Sequence, residues 1–178
     1  MKKKLFSLNL VILSLAALVL VPQAQAEKPA DSNTIVDIAS GNENFSTLVA
    51  AVVKADLIDV LSGRRQFTVF APTNQAFDDA AAALGLPDGL ALVEALDVAT
   101  LTDILLYHVS PGERFSGDVL DSTRIRTMNK SFLFVNPDEL MLIGTGSTAM
   151  LLAPDLIDID ADNGVIHVID FVLLPFAI

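Results

Sequence analysis

The chain has no cysteine and no tryptophan among its 178 residues, and only one tyrosine and two histidines. Without cysteine there is no disulfide, no thiolate metal site, no iron–sulfur ligation and no thiol nucleophile. Basic residues are scarce as well: 11 Lys+Arg stand against 22 Asp+Glu, a formal net charge of −11. Beyond the N-terminal lysines no basic cluster is larger than Arg64-Arg65. Such a surface repels phosphate backbones, which excludes nucleic acid as a partner. The chain carries no Gly-x-Ser-x-Gly elbow and no His-Glu-x-x-His helix, and nothing else in it specifies a reaction. The expectation is a protein that is not an enzyme and that uses no cofactor and no metal.

Apolar runs of spanning length are also missing, with one exception at the start. Lys2, Lys3 and Lys4 precede an apolar stretch from Leu5 to Val21, Pro22 breaks it, and Ala24-Gln25-Ala26 supplies small residues for cleavage. Residues 1–26 are expected to be a signal peptide cleaved after Ala26. An uncleaved anchor is the alternative, because the run sits at the short end of membrane-spanning length. Cleavage removes three lysines and no acid, so the net charge deepens from −11 to −14. The product is expected to be secreted (extracellular, periplasmic or at the cell surface), with no stable membrane span. Residues 27–33 read as a mobile polar lead-in, and 34–178 as one domain held by apolar packing.

Within that domain the first half reads helical. Ile35, Ile38 and Ala39 predict a short opening helix. Leu48, Val49, Val52 and Val53 predict a second, with Asn44 as its cap. Asp56 to Leu61 can form one more turn before Gly63. Phe67 and Val69 alternate as a strand that ends at Pro72, and Thr73 is placed to cap an alanine-rich helix that Gly85 stops. Thr100-x-x-Asp103 reads as a capping box ahead of Ile104 to Val109, which Pro111-Gly112 closes. The second half reads as strands: around Ile125 and Thr127, Phe132 to Asn136, Leu140 to Ile143, and two longer ones over Ala149–Ile159 and Val165–Leu174. Asn163-Gly164 between the last two predicts a hairpin. Helices first and strands later give an α+β class, not a βαβ wrap.

Three segments carry a resemblance. Thr68-Val-Phe70-Ala-Pro72-Thr73-Asn74 with Ala76-Phe77 comes first, then Leu105-Leu-Tyr107-His108-Val109. The third is Asn163-Gly164-Val-Ile-His167-Val-Ile-Asp170 followed by Val172-Leu-Leu-Pro175. In this order and spacing they resemble the signature motifs of the fasciclin (FAS1) domain, over roughly residues 34–175. The resemblance implies a wedge of β-strands flanked by a helical layer. It also implies a secreted adhesion or matrix-interaction module. Phe70, Pro72, Thr73, Asn74, Phe77, Asn163, Gly164, His167 and Asp170 would be structural motif residues. Tyr107 and His108, with the pair Asp158-Ile159, would correspond to positions proposed in animal members to contact integrins. The residues themselves also fit another role. Tyr107 and His108 each suit a buried position needing one hydrogen bond, His167 a core position satisfied by one carbonyl, and Asp158 a solvated carboxylate.

Weaker signals resolve into turns and strands. Asp158-x-Asp160-x-Asp162 lacks the glycine and the closing acid of a calcium loop at their required positions, and reads as a strand with one acidic face. Gly144-x-Gly146-x-x-Ala149 echoes a dinucleotide fingerprint, but Pro154 arrives before a helix could form, so it reads as a turn. The functional expectation is binding, without catalysis, of an extracellular or cell-surface protein or glycan. The alternative is a soluble carrier of an elongated apolar ligand, such as a carotenoid or lipid, in a groove involving Met128, Met141 and Met150.

Overall fold

The computed structural model describes residues 33–151 and 156–177. The expected signal peptide, and all of the expected lead-in except Asn33, lie outside the described residues. Asn33 itself is tied down: its N–H donates to the Asp162 carboxylate (2.7 Å), and its carbonyl accepts from the Asp162 N–H (3.1 Å). Asn33, placed in the lead-in by composition, is thus joined to the domain.

Helix α1 (Ile35–Ser40) opens with a reciprocal box in which Thr34 and Asp37 each accept from the other's backbone N–H. A 3-10 turn (Glu43–Phe45) leads into α2 (Ser46–Lys54). The expected cap does not form. Asn42 caps the 3-10 turn, and Phe45, at the N-cap of α2, has no side-chain acceptor to offer. The buried face of α2 is Thr47, Leu48, Ala51 and Val52, while Val53 is 55% exposed. The helix is thus turned relative to the expected stripe. After α3 (Ile58–Leu61) and β1 (Phe67–Pro72) come α4 (Asn74–Ala83), α5 (Gly89–Ala95) and α6 (Val98–Tyr107). Thr73 caps α4 as expected, accepting from the Ala76 N–H. The cap of α6 is Asp97, bonded to the Thr100 N–H and hydroxyl, so Thr100 lies inside the helix it was expected to start.

The rest is mostly strand: β2 (Val109–Pro111), then the short helix α7 (Ser116–Leu120), β3 (Arg124–Arg126), β4 (Phe132–Asn136), β5 (Met141–Ile143), β6 (Thr148–Met150), β7 (Ile159–Ala161) and β8 (Gly164–Ile169). The two long terminal strands expected from apolar content are shorter than their runs. β6 ends at Met150, and β8 stops at Ile169, where Asp170 turns its chemistry to another strand. Helices α5 and α7 had no counterpart in the sequence reading.

Two sheets form, in the orders β2-β1-β8-β7 and β3-β4-β5-β6. In the first, β1 and β8 run parallel from Phe67↔Gly164 to Pro72↔Ile169, and every residue of both is buried. The continuous apolar run of β8 matches burial on two faces. The alternation read in β1 does not hold, because Phe70 faces a second core and Thr68 is buried with its hydroxyl on the Gly112 carbonyl. One core lies between the helices and this sheet and includes Phe45, Phe77, Val69 and Ile166. The other lies between the two sheets and is built on Phe70, Tyr107, Leu133, Leu142, Ile169 and Leu173. The parallel β1–β8 pair thus forms the middle layer, reached by a long crossover that the helices-then-strands order did not foresee.

Candidate functional site

The expected motif residues gather around that middle layer, and almost all of them are buried. Phe70 pairs with His167 across β1 and β8, with the rings stacked 5.7 Å apart at 26°. His167 is fully buried. Its Nε2–H donates to the Arg114 carbonyl (2.8 Å), and its Nδ1 accepts from the Asp158 N–H (3.3 Å). Burial lowers its pKa, although the Arg114 carbonyl and the Asp158 charge act the other way. The ring therefore answers to two backbone groups rather than the single carbonyl expected.

Tyr107 and His108 end α6 and point apart. The Tyr107 hydroxyl donates to the Phe132 carbonyl (3.0 Å) and accepts from the Thr145 N–H (3.2 Å), which braces the second sheet. His108 Nδ1–H donates to the Ile104 carbonyl (2.8 Å), and Nε2 accepts from the Leu173 N–H (2.9 Å). These bonds fix the tautomer and anchor the C-terminal segment. Tyr107 is 0% exposed and His108 2%, so the expected partner contact at this pair is corrected to an internal one. Their polar tips are spent on backbone groups that would otherwise be stranded.

Burial pushes the His108 imidazole down to about 4, with the Ile104 bond opposing. The folded chain thus keeps this ring neutral at pH values where the unfolded chain, with an ordinary pKa near ~6.5, protonates it. Stability is fully present above that value and falls as pH drops toward about 4, at up to ~1.4 kcal/mol per pH unit for the group. Urea midpoints measured from pH 7 to 5 should fall, and His108→Ala should show a shallower fall from a lower start. The same slope in both proteins would contradict this assignment. At pH 7 the substitution strands the Leu173 N–H and the Ile104 carbonyl, and should cost about 2–4 kcal/mol.

Two helices whose N-cap is phenylalanine borrow their caps from distant motif residues. Asn74 accepts from the Thr47 N–H (3.0 Å) at the start of α2, and its amide donates to the Glu43 carbonyl and the Ser46 hydroxyl. Asp158 accepts from both the N–H and the hydroxyl of Ser116 (2.5 Å each) at the start of α7, whose own N-cap is Phe115. Asp158 is therefore not the free solvated carboxylate expected, and Ile159 beside it is only partly exposed. Asp160 and Asp162 are exposed, but Asp162 is bonded to Asn33. The three acids thus do different work.

Asn163 joins three elements. Its carbonyl oxygen accepts from the Ile35 N–H (2.9 Å), and its amide donates to the Leu61 (2.7 Å) and Gly63 (2.9 Å) carbonyls. Asp162 and Asn163 form the two-residue loop of the β7–β8 hairpin, and Gly164 opens β8 with φ 143°. Asp170 ties the sheets together, accepting from the Met150 N–H (2.7 Å) and donating its own N–H to the Met150 carbonyl. The Gly144-x-Gly146 turn has an internal purpose too. A Cβ at Gly144 would press on the Tyr107 ring, and one at Gly146 would collide with the Phe176 carbonyl. Pro72 closes β1 and Phe77 is buried under α5.

The motif boxes thus brace the fold from within. The fasciclin domain profile matches residues 43–175. The chain belongs to the fasciclin family. Protein sll1483 of Synechocystis is 44% identical over 80% of this chain and 73% of its own length. Transforming growth factor-beta-induced protein ig-h3 of Sus scrofa is 34% identical over 80% of this chain but only 19% of that protein. The solved FAS1 domain pair of the insect cell adhesion molecule fasciclin I superposes with a TM-score of 0.65 at 20% identity, covering 80% of this chain and 51% of the pair. The α+β FAS1 fold is therefore established.

The fasciclin domain also holds an apolar cavity of about 190 Å³ between α4, α5, α6 and the C-terminal segment, bounded by Phe77, Leu92, Ile104, Phe171 and Phe176 among others. Its size compares with the ~150 Å³ engineered cavity that accepts benzene, and falls short of a polyene. Met128, Met141 and Met150 do not line it. Among the described residues no group of His, Cys, Asp and Glu is arranged to hold a metal ion, and no helix is long and apolar enough to cross a membrane.

Proposed function

We propose that this fasciclin domain is a non-catalytic interaction module that works outside the cytoplasm, binding a protein or glycan partner in adhesion or in an extracellular matrix. The solved FAS1 domain pair belongs to an insect cell adhesion molecule, and a Mycobacterium bovis relative is a cell surface glycolipoprotein. The observation that carries the reading beyond family is the commitment of both histidines. Every ring nitrogen of His108 and His167 is engaged with a backbone group, which leaves neither placed as a general base. The small cavity favours a second, narrower reading, in which a compact apolar molecule is held beside α6.

Native mass spectrometry with a visible absorption spectrum, on protein purified from its own source, separates the two. The interaction module predicts the bare polypeptide mass, together with retention on envelope or matrix fractions from the same source. A bound apolar species of defined mass, without such retention, would overturn it in favour of a carrier.

A further inference from the structure

The outward face of the second sheet sets exposed aromatic side chains beside two arginines. Alternation along β3–β6 turns Ile125, Leu133, Leu142 and Ala149 inward to the core. The register sets their neighbours side by side on the other face: Arg124 against Phe134, Arg126 against Phe132, Phe134 against Ile143, and Met141 against Met150. Phe132 is 39% exposed, Phe134 51% and Met150 46%. The Arg124 guanidinium lies 4.8 Å from the centre of the Phe132 ring, which holds it over the apolar floor while its donors stay free. No acid stands at any outward strand position of this sheet, although acids outnumber bases two to one along the chain. Lys130, in the β3–β4 turn, adds a third cation at its border, while Asp138 and Glu139 stand in the β4–β5 turn.

Solvated sheet faces ordinarily carry polar residues, and a cluster of exposed aromatic and sulfur side chains marks an interaction site. The composition decides the kind of partner. Phe, Met and Arg are enriched at the centres of protein interfaces, whereas Asp, Glu and Lys are depleted there. A sugar platform would use the flat polar rings of Trp or Tyr, but the chain has no Trp and its single Tyr is Tyr107, which is buried. Anionic membrane is opposed by the chain's overall negative charge. Pairing of the face with itself would bring the Arg124 and Arg126 pair against its own copy.

We propose that the outward face of β3–β6 is the contact surface of the module, and that it takes a polypeptide segment presenting apolar side chains interleaved with carboxylates. The inference rests on the interaction-module reading and names the surface that performs it. Phe132, Phe134 and Met150 supply the anchors; Arg124 and Arg126 select the acidic partner by local pairing with its carboxylates.

The test measures binding of the purified protein to two short immobilised peptides of equal length, one alternating Leu with Glu and the other Leu with Lys. Phosphatidylglycerol vesicles, an acidic polysaccharide such as alginate, and sedimentation of the protein alone complete the set. The Leu-Glu peptide should bind, more weakly as salt rises, and the Leu-Lys peptide should not. Phe134→Ser should weaken binding about tenfold or more, and Arg124→Glu with Arg126→Glu should reverse the peptide preference. Because these side chains are exposed, Tm should fall by only a few degrees in each variant, and binding is read well below the transition, which separates lost contact from lost folding. Equal binding of both peptides, unchanged affinity in the variants, preference for vesicles or alginate, or self-association through this face would each overturn the assignment. If wild-type protein is retained on envelope or matrix and Phe134→Ser is retained equally, this surface fails while the module reading stands. Absence of wild-type retention would tell against the module reading itself.

Discussion

Gly164→Ala should leave the domain largely unfolded at 37 °C. Gly164 sits at φ 143°, a backbone region that costs a side-chain-bearing residue on the order of 1–3 kcal/mol. Strain is the smaller part of the effect. An alanine methyl would overlap the carbonyl and the amide nitrogen of Phe67, the residue paired with Gly164 at the start of the β1–β8 ladder. Backbone cannot step aside as a flexible side chain can, so the two central strands must separate or slip. A slip of one residue would turn the ring of Phe70 away from His167 and into the helical core. A total loss above ~4 kcal/mol is expected, out of ~5–15 for a whole domain. The thermal transition of the variant should move down by about 15 °C or disappear. A shift of only a few degrees would show that the β1–β8 register tolerates a side chain at this corner.

Asn163→Ala should be nearly as damaging, through chemistry instead of collision. The side chain is 3% exposed and satisfies the Ile35 N–H and the carbonyls of Leu61 and Gly63. Truncation strands these three backbone groups where water has little access, a loss of about 3–5 kcal/mol. Asn163→Asp gives the sharper test. An ionised carboxylate still accepts from Ile35, but it faces two carbonyl oxygens with no proton to give. Its folded pKa is therefore raised, so the aspartate form is most destabilised at neutral pH. Relative to wild type at each pH, stability should recover as pH falls and the carboxyl regains a donor. Chemical denaturation at pH 7.5 and at pH 5 reads this directly. A deficit that stays constant with pH would mean that the amide's donor role is not what holds the end of α3 to the β7–β8 hairpin.

What could be read in advance follows the range of the interactions. Thr73 capping α4 is local and stands where the sequence puts it; the hairpin signalled by Asn163-Gly164 forms too, with Asp162-Asn163 as its loop and Gly164 opening β8. The burial of β8 was legible because an apolar run that does not alternate can only be buried on both faces. The caps of α2 and α7 were illegible for the opposite reason. Phe45 and Phe115 occupy their N-caps, and the acceptors arrive from Asn74 and Asp158, 27 and 42 residues away. Helix α6 was misread at its start because Thr100-x-x-Asp103 fits the local pattern, while Asp97 fits it better. The contact surface was hidden by β4 itself. Phe132, Leu133, Phe134 and Val135 are all apolar, so the segment has no polar face to say which side meets water; only pairing with Arg124, Arg126 and β5 decides it. Sequence also could not separate the two roles of the Tyr107-His108 pair, since an amphipathic side chain suits an interface and a core equally well.

The central claim is a division of labour, in which the motif residues hold the fold and the outer face of the second sheet makes the contact. The measurement that tests it most directly pairs Tm with retention on matrix or envelope for His108→Ala and Phe134→Ser in the same preparations. The account predicts that His108→Ala melts lower yet binds as wild type below its transition, whereas Phe134→Ser loses less Tm than His108→Ala and loses binding while still folded. Binding lost in a folded His108→Ala, with Phe134→Ser unaffected, would contradict it and return the contact to the α6 terminus.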